Sequence, residues 1–297
     1  MMRQFVNLQT DLIRTFVTVV DLGNFTETGQ ILGRTQPAIS LQIKRLESLV
    51  GAKLLQHTGK TLELTSDGQT LIGYAREILR MNDRAVANFQ RAQLLGTLRV
   101  GLPTDYAIGY FQRVIAQFAK SNPEVSLDVR CNWSRDILSS LHTDDLDLAI
   151  AITDAMPAPY VSLYWSERPF WVCGRDYHYS LERPVQIIAH PEGCYYRKRM
   201  IEALSTEGRE WRICFESPGI SALQNAVLDG MGVTALTKKT LLPGMRVLSP
   251  KEGFPLLANL HVGLFYKHVK ASDAALKLID QIANGVSAFR KPTYSRA

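Results

Sequence analysis

The segment Asn24–Val50, NFTETGQILGRTQPAISLQIKRLESLV, constrains this chain more than any other. Leu12, Phe16, Val19 and Val20 recur at helical spacing and predict a helix over 9–21. Gly23-Asn24 breaks it, and a short helix follows over 26–32. Gly33-Arg34 is the turn. Thr35 suits an N-cap, and Pro37 fits the first turn of the next helix, where a missing N–H costs little. Ile39, Ile43, Leu46, Leu49 and Val50 then form one apolar stripe. Gln36, Ser40, Gln42, Lys44 and Arg45 are assigned to the opposite face. Two short helices joined this way predict a helix-turn-helix, whose second helix enters the major groove of duplex DNA N-terminus first.

That geometry gives each polar residue a chemistry. Gln36 can pair with both adenine N6 and N7, and Ser40 tolerates several bases. Arg45 reaches a guanine or a phosphate, and Lys44 a phosphate. Thr35, Pro37 and the adjoining helix-start N–H groups suit a phosphate oxygen, and Gln42 lies further along the helix. The glycine-centred stretch LLQHTGKTLELT reads as a β wing, offering His57, Thr58 and Lys60 to the neighbouring backbone or minor groove. Taken singly, each of these is equally a solvated surface residue. Their joint pattern carries the expectation.

Charge adds little. The 297 residues carry a formal +6, but residues 1–66 hold seven Lys or Arg against five acids, leaving +2. A pair of such modules would neutralise more phosphates than one, which favours a dimer. The N-terminus lacks a signal-peptide core and no run is apolar enough to span a membrane, so a cytoplasmic protein is expected. Cys131, Cys173, Cys194 and Cys214 are scattered without metal-ligand spacing. They read as reduced thiols, with Cys194 and Cys214 the one conceivable pair.

Thr65 or Ser66 caps a long helix from Gly68 to about Leu94, with Leu71, Ile72, Ala75, Ile78, Leu79, Val86 and Phe89 as its apolar positions. A helix this long between two domains reads most economically as a connector and dimer seam, the alternative being a long helix packed on its own domain. From Thr97 strands alternate with helices, and the continuous apolar run LDLAIAI suits a parallel sheet covered on both faces. The expected fold is an N-terminal winged helix-turn-helix over 1–66, a linker helix over 67–95 and an α/β domain over 96–290. Its two lobes are expected at about 96–163 with 266–290, and about 164–265. A basic tail follows over 291–297.

Between such lobes, ligands bind where strands end and helices begin. Those ends bring Pro103, Thr104 and Asp105, then Trp133 and Ser134, then Thr153 and Asp154. In the second lobe they bring Cys194, Tyr195 and Tyr196, then Ser217, Gly219 and Ile220. Helix N-termini at Ser134 and Ile220, with Arg197, favour an anion. Asp105, Asp154, Trp133, Tyr195 and Tyr196 equally favour an aromatic, amine-bearing or neutral ligand. No GxSxG, HExxH or GxGxxG is present. A non-enzymatic regulator without cofactor is expected. An architectural DNA binder, or an enzyme with a DNA-binding head, are the alternatives.

The array Leu12-Ile13-Arg14-Thr15-Phe16, Gly23-Asn24-Phe25-Thr26, Thr35 through Glu47, Gly51-Ala52-Lys53-Leu54-Leu55 and Leu64 through Gly68 resembles the LysR-type transcriptional regulators. The layout matches that family across essentially the whole chain. The resemblance implies a homo-oligomer, usually a dimer of dimers, on promoter DNA. It implies an effector domain like the periplasmic binding proteins, and RNA polymerase as a possible further partner. Four positions depart. Thr28-Gly29 stands where the family commonly has Ala-Ala, which would loosen helix packing. Leu55 replaces a Phe, and His57 replaces an Arg that contacts DNA in the family. Tyr74 through Leu79 and Trp171-Val172-Cys173 are most similar to regulators of motility and virulence functions in enterobacteria.

Overall fold

The computed structural model describes residues 6–59, 61–89, 96–107, 110–154, 158–180 and 182–287. Lys60, the end of the expected linker helix and the basic tail lie outside the described residues.

Three helices open the chain: α1 (Thr10–Leu22), α2 (Phe25–Ile31) and α3 (Gln36–Val50). Gly23 ends α1 in the left-handed conformation, and the Asn24 side chain caps α2 by accepting from the N–H groups of Thr26 and Glu27. Thr35 holds the N-cap position of α3, but its hydroxyl makes no capping bond. The hairpin β1 (Leu55–Thr58) and β2 (Thr61–Leu64) forms the wing, with Leu55 opposite Leu64 and Thr58 opposite Thr61. Leu12, Phe16, Val19, Ile39, Ile43 and Leu46 bury together with Ile72, Ala75 and Leu79 of α4 (Ser66–Phe89). The long helix therefore completes the core of the small domain. The Thr65 hydroxyl caps α4 by accepting from Gly68 N–H at 3.0 Å.

Two five-stranded sheets follow. The first lobe holds β3 (Gly96–Leu102), β4 (Val125–Cys131), β5 (Leu148–Thr153), β6 (Val161–Glu167) and β12 (Leu260–Phe265), in the order β4-β3-β5-β12-β6. Helices α5 (Tyr110–Ser121), α6 (Ser134–His142) and α9 (Asp273–Ser287) accompany it. The second lobe holds β7 (Phe170–Gly174), β8 (Val185–Ala189), β9 (Trp211–Glu216), β10 (Val233–Leu236) and β11 (Met245–Val247), in the order β11-β7-β10-β8-β9. Its helices are α7 (Tyr195–Thr206) and α8 (Ile220–Leu228). In each sheet one strand, β12 in the first and β7 in the second, runs antiparallel to the neighbours on both its sides, and the remaining pairs are parallel. Every residue of β5 is buried, as a strand covered on both faces requires.

The expected lobe boundaries are corrected here. The stretch Tyr164–Cys173 is two strands in different sheets, because Arg168-Pro169 interrupts it and proline has no N–H for a ladder. The lobe boundaries move accordingly. β12 pairs with β5 on one side and with β6 on the other, both in the first lobe, so the chain crosses at Arg168-Pro169 and returns in the segment between Val247 and Leu260.

Candidate functional site

The solvent face of α3 presents Gln36, Pro37, Lys44 and Arg45, all exposed, with Ser40 half-buried beside them. Gln36 Nε2 donates to Ser40 Oγ at 2.9 Å, one helical turn on. Among the described residues, no ion pair engages Arg34, Lys44 or Arg45. The charges of Lys44 and Arg45 therefore face outward with no ion pair among the described residues. Thr35 is exposed at the helix start. In the wing His57 and Thr58 are exposed, and Thr58 Oγ1 donates to Glu63 Oε2 at 2.8 Å.

Gln42 is not on that face. It is buried, its Oε1 accepts from Thr15 Oγ1 at 2.7 Å, and its amide reaches Asp11 at 3.5 Å. Its work is to fix α3 against α1. Glu47 does the same at the other end of α3, accepting from Lys53 Nζ at 2.7 Å and from Leu54 N–H at 3.0 Å. The expected loosening at Thr28-Gly29 is also corrected. Thr28 is fully buried and donates to the Asn24 carbonyl at 2.7 Å. Gly29 lets the turn close, since its carbonyl accepts from Arg34 N–H at 2.8 Å.

The second site is a cavity of about 190 Å³ between the lobes. It gathers Pro103, Thr104, Asp105, Trp133, Ser134, Cys194, Tyr195 and Tyr196 from the expected set. It leaves out Thr153, Asp154, Arg197, Ser217, Gly219 and Ile220, each within a few residues of its rim or behind its wall. The Ser134 hydroxyl is committed to the fold, accepting from Ile152 N–H at 3.0 Å. Arg197 is turned to the His190 carbonyl at 3.2 Å and to Glu216 at 2.5 Å. Asp154 bridges the lobes, meeting Lys198 at 2.5 Å and Arg199 at 2.6 Å from α7. Burial pulls its carboxyl up, but the bond from Lys198 and the charge of Arg199 hold it below the ordinary carboxylate value. Glu167, ending β6, meets Lys239 of the second lobe at 2.6 Å. These two contacts clasp the lobes across the cavity.

His190 was missed by sequence reasoning. It follows β8, so the carboxyl end of that strand was the signal that could have found it. Its Nδ1 donates to the Ser217 carbonyl at 3.0 Å, and its ring stands edge-on to Trp133 with centroids 5.6 Å apart. The four cysteines are free thiols. Burial pushes the Cys194 thiol up to about 11, far from a reactive thiolate. Among the described residues no cluster of His, Cys, Asp or Glu could hold a metal ion, and no helix is long and apolar enough to cross a membrane.

A third assembly joins the two domains. Asp21 of α1 meets Arg76 of α4 at 2.5 Å, both buried, and accepts from Tyr160 N–H at 2.9 Å. Arg76 also donates to the Ala158 carbonyl at 2.9 Å, and Thr18 Oγ1 lies 3.1 Å from His268 Nε2. Burial raises the Asp21 carboxyl against the pull of Arg76. Further along α4, Arg80 and Arg84 pair with Asp280 of α9 at 3.3 and 3.1 Å.

A winged helix-turn-helix carried by one long helix on a two-lobed α/β domain defines a class of transcriptional regulator. The chain belongs to the LysR family. Residues 10–69 match the bacterial regulatory helix-turn-helix protein, lysR family, and residues 91–286 match the LysR substrate binding domain. The chain is 33% identical over 257 residues to the HTH-type transcriptional regulator PecT of Dickeya dadantii, covering 86% of this chain and 81% of that one. It is 26% identical to DgdR of Burkholderia cepacia over 277 residues, 93% and 94% of the two chains. The crystal structure of Vibrio fischeri DarR in complex with DNA shares the fold, with a TM-score of 0.51 at 19% identity over 94% of this chain and 99% of that one.

Proposed function

We propose that this regulator binds duplex promoter DNA as a self-associated set of readers, with a small molecule in the inter-lobe cavity setting its geometry. The observation that carries the reading is the outward face of α3. Gln36 and Ser40 stand at the N-terminal end that enters a groove, while Lys44 and Arg45 lie further along with no acidic partner. Pairing of chains is supported by α4. Tyr74, Ile78 and Met81, at steps of four and three, are exposed outside its buried stripe, Tyr74 and Met81 by 61% and 53%. DarR, which shares the fold, is described in complex with DNA.

A ligand seated between the lobes bears on the Asp154 and Glu167 clasps, and α4 carries any change of lobe packing to the spacing of the readers. Such a ligand regulates only through different affinities for the two arrangements. The test is a pair of substitutions on the full chain, read by DNA titration. Gln36→Ala should lose discrimination at one base position by about 1–3 kcal/mol. Lys44→Ala should weaken all sequences alike and reduce the salt slope by about 1. Unchanged base preference in the first, or a sequence-selective loss in the second, would contradict the assigned roles.

A further inference from the structure

The inter-lobe cavity has a chemical bias that its position alone does not give. Asp105 lines it, and among the described residues no lysine or arginine does. Every cation near its rim is already matched by an acid outside the lining: Lys198 and Arg199 by Asp154, Arg197 by Glu216, and Lys239 by Glu167. The helix starts that reach the lining, at Trp133-Ser134 and Cys194-Tyr195, bring no cationic side chain into it. The Ser134 hydroxyl is spent on β5, and Ile220 lies outside the lining. What remains is a carboxyl group among aromatic rings. Tyr196, fully buried, hydrogen-bonds Asp105, and Trp133 and Tyr195 supply the walls. A carboxylate flanked by aromatic faces is the chemistry that recognises an ammonium group, through charge and through the ring quadrupoles.

Size narrows the class. A cavity of ~150 Å³ takes up benzene. At about 190 Å³ this one holds a single ring with a short polar arm. Burial pushes the Asp105 carboxyl up, against the pull of His190, and the same burial pushes the His190 imidazole down. An ammonium beside Asp105 would supply a counter-charge that the neighbouring imidazole supplies poorly.

We infer that the ligand of this cavity is a small primary amine, aromatic or similarly compact, held by Asp105 and walled by Trp133 and Tyr195. The inference rests on the proposed role of the cavity as the effector site.

The test uses the full chain with three probes of one shape, benzylammonium, benzyl alcohol and benzoate. Each is followed by calorimetric titration and by the thermal midpoint, which rises with any ligand that binds the folded state. Benzylammonium should bind saturably and tighter than the alcohol, and benzoate should bind weakest. Asp105→Asn, nearly isosteric, should reduce benzylammonium affinity by roughly tenfold or more. Should Asp105→Asn not fold, the order of the three probes on the native chain still decides the matter. Benzoate binding tightest, benzylammonium insensitive to Asp105→Asn, or no saturable binding of the amine would each overturn the inference. Footprinting with the same preparation keeps the two readings apart. A discrete footprint without amine binding overturns the ligand class and leaves the regulator standing. Amine binding without DNA protection does the reverse.

Discussion

A Cβ placed on Gly29 would come within 2.6 Å of the Arg34 carbonyl oxygen, a backbone atom that cannot swing aside. Alanine at this position gains helix propensity of up to ~1 kcal/mol, but it must push the turn away from α2. Overpacking of this kind costs about 1–3 kcal/mol. The clash outweighs the propensity, so Gly29→Ala should lower the denaturant midpoint, corresponding to a net loss of ~1–2 kcal/mol in unfolding free energy. An unchanged or raised midpoint would show that the turn relaxes freely. The same scale shows what the sequence could not tell. Gln42 lies only about 60° round the helix from Ile39, at the edge of the buried stripe. Its polarity suggests the solvent face, while its length lets it reach Thr15 and Asp11. Gln36 lies as far from Ile39 on the other side and Ser40 about 100° away, yet neither is buried, both standing near the start of the helix.

At the scale of elements, most of the chain was legible because its signals were local. The Asn24 cap, the left-handed glycines at the ends of α1 and α3, and the apolar run of β5 each follow from neighbours in sequence. Partner choice was not local. The apolar positions of α4 read as one set, yet Ile72, Ala75 and Leu79 face the reader's own core while Tyr74, Ile78 and Met81 face outward. Likewise, which sheet receives β6 and which β7 depends on strands nearly a hundred residues away, although Pro169 marks the break. The outward face gives a prediction. Ile78→Glu places a charge in the proposed seam without touching the buried stripe. Sedimentation should show a shift toward monomer with the helical circular dichroism unchanged. Retained assembly would place the self-association surface elsewhere.

On the scale of the whole molecule, the reader and first lobe meet over buried charge. His268 is caught in this seam, where burial, reinforced by Arg14, pushes its imidazole down to about 3 from an ordinary 6.5. The unfolded or undocked chain takes up a proton in that window and the docked chain does not. The stabilisation is therefore complete above about 6.5 and is lost as pH falls toward about 3. The loss amounts to at most ~1.4 kcal/mol per pH unit. Thermal midpoints between pH 7.5 and 5 should fall more for the native chain than for His268→Gln, which isolates this group from the other acids. Equal falls would remove His268 from the account. The central claim is that paired α3 helices read sequence in duplex DNA, and selection from a randomised duplex library with the full native chain tests it most directly. Paired readers should recover two related half-sites in inverted orientation, separated by about one helical turn or a multiple of it. Enrichment without a shared motif would contradict it.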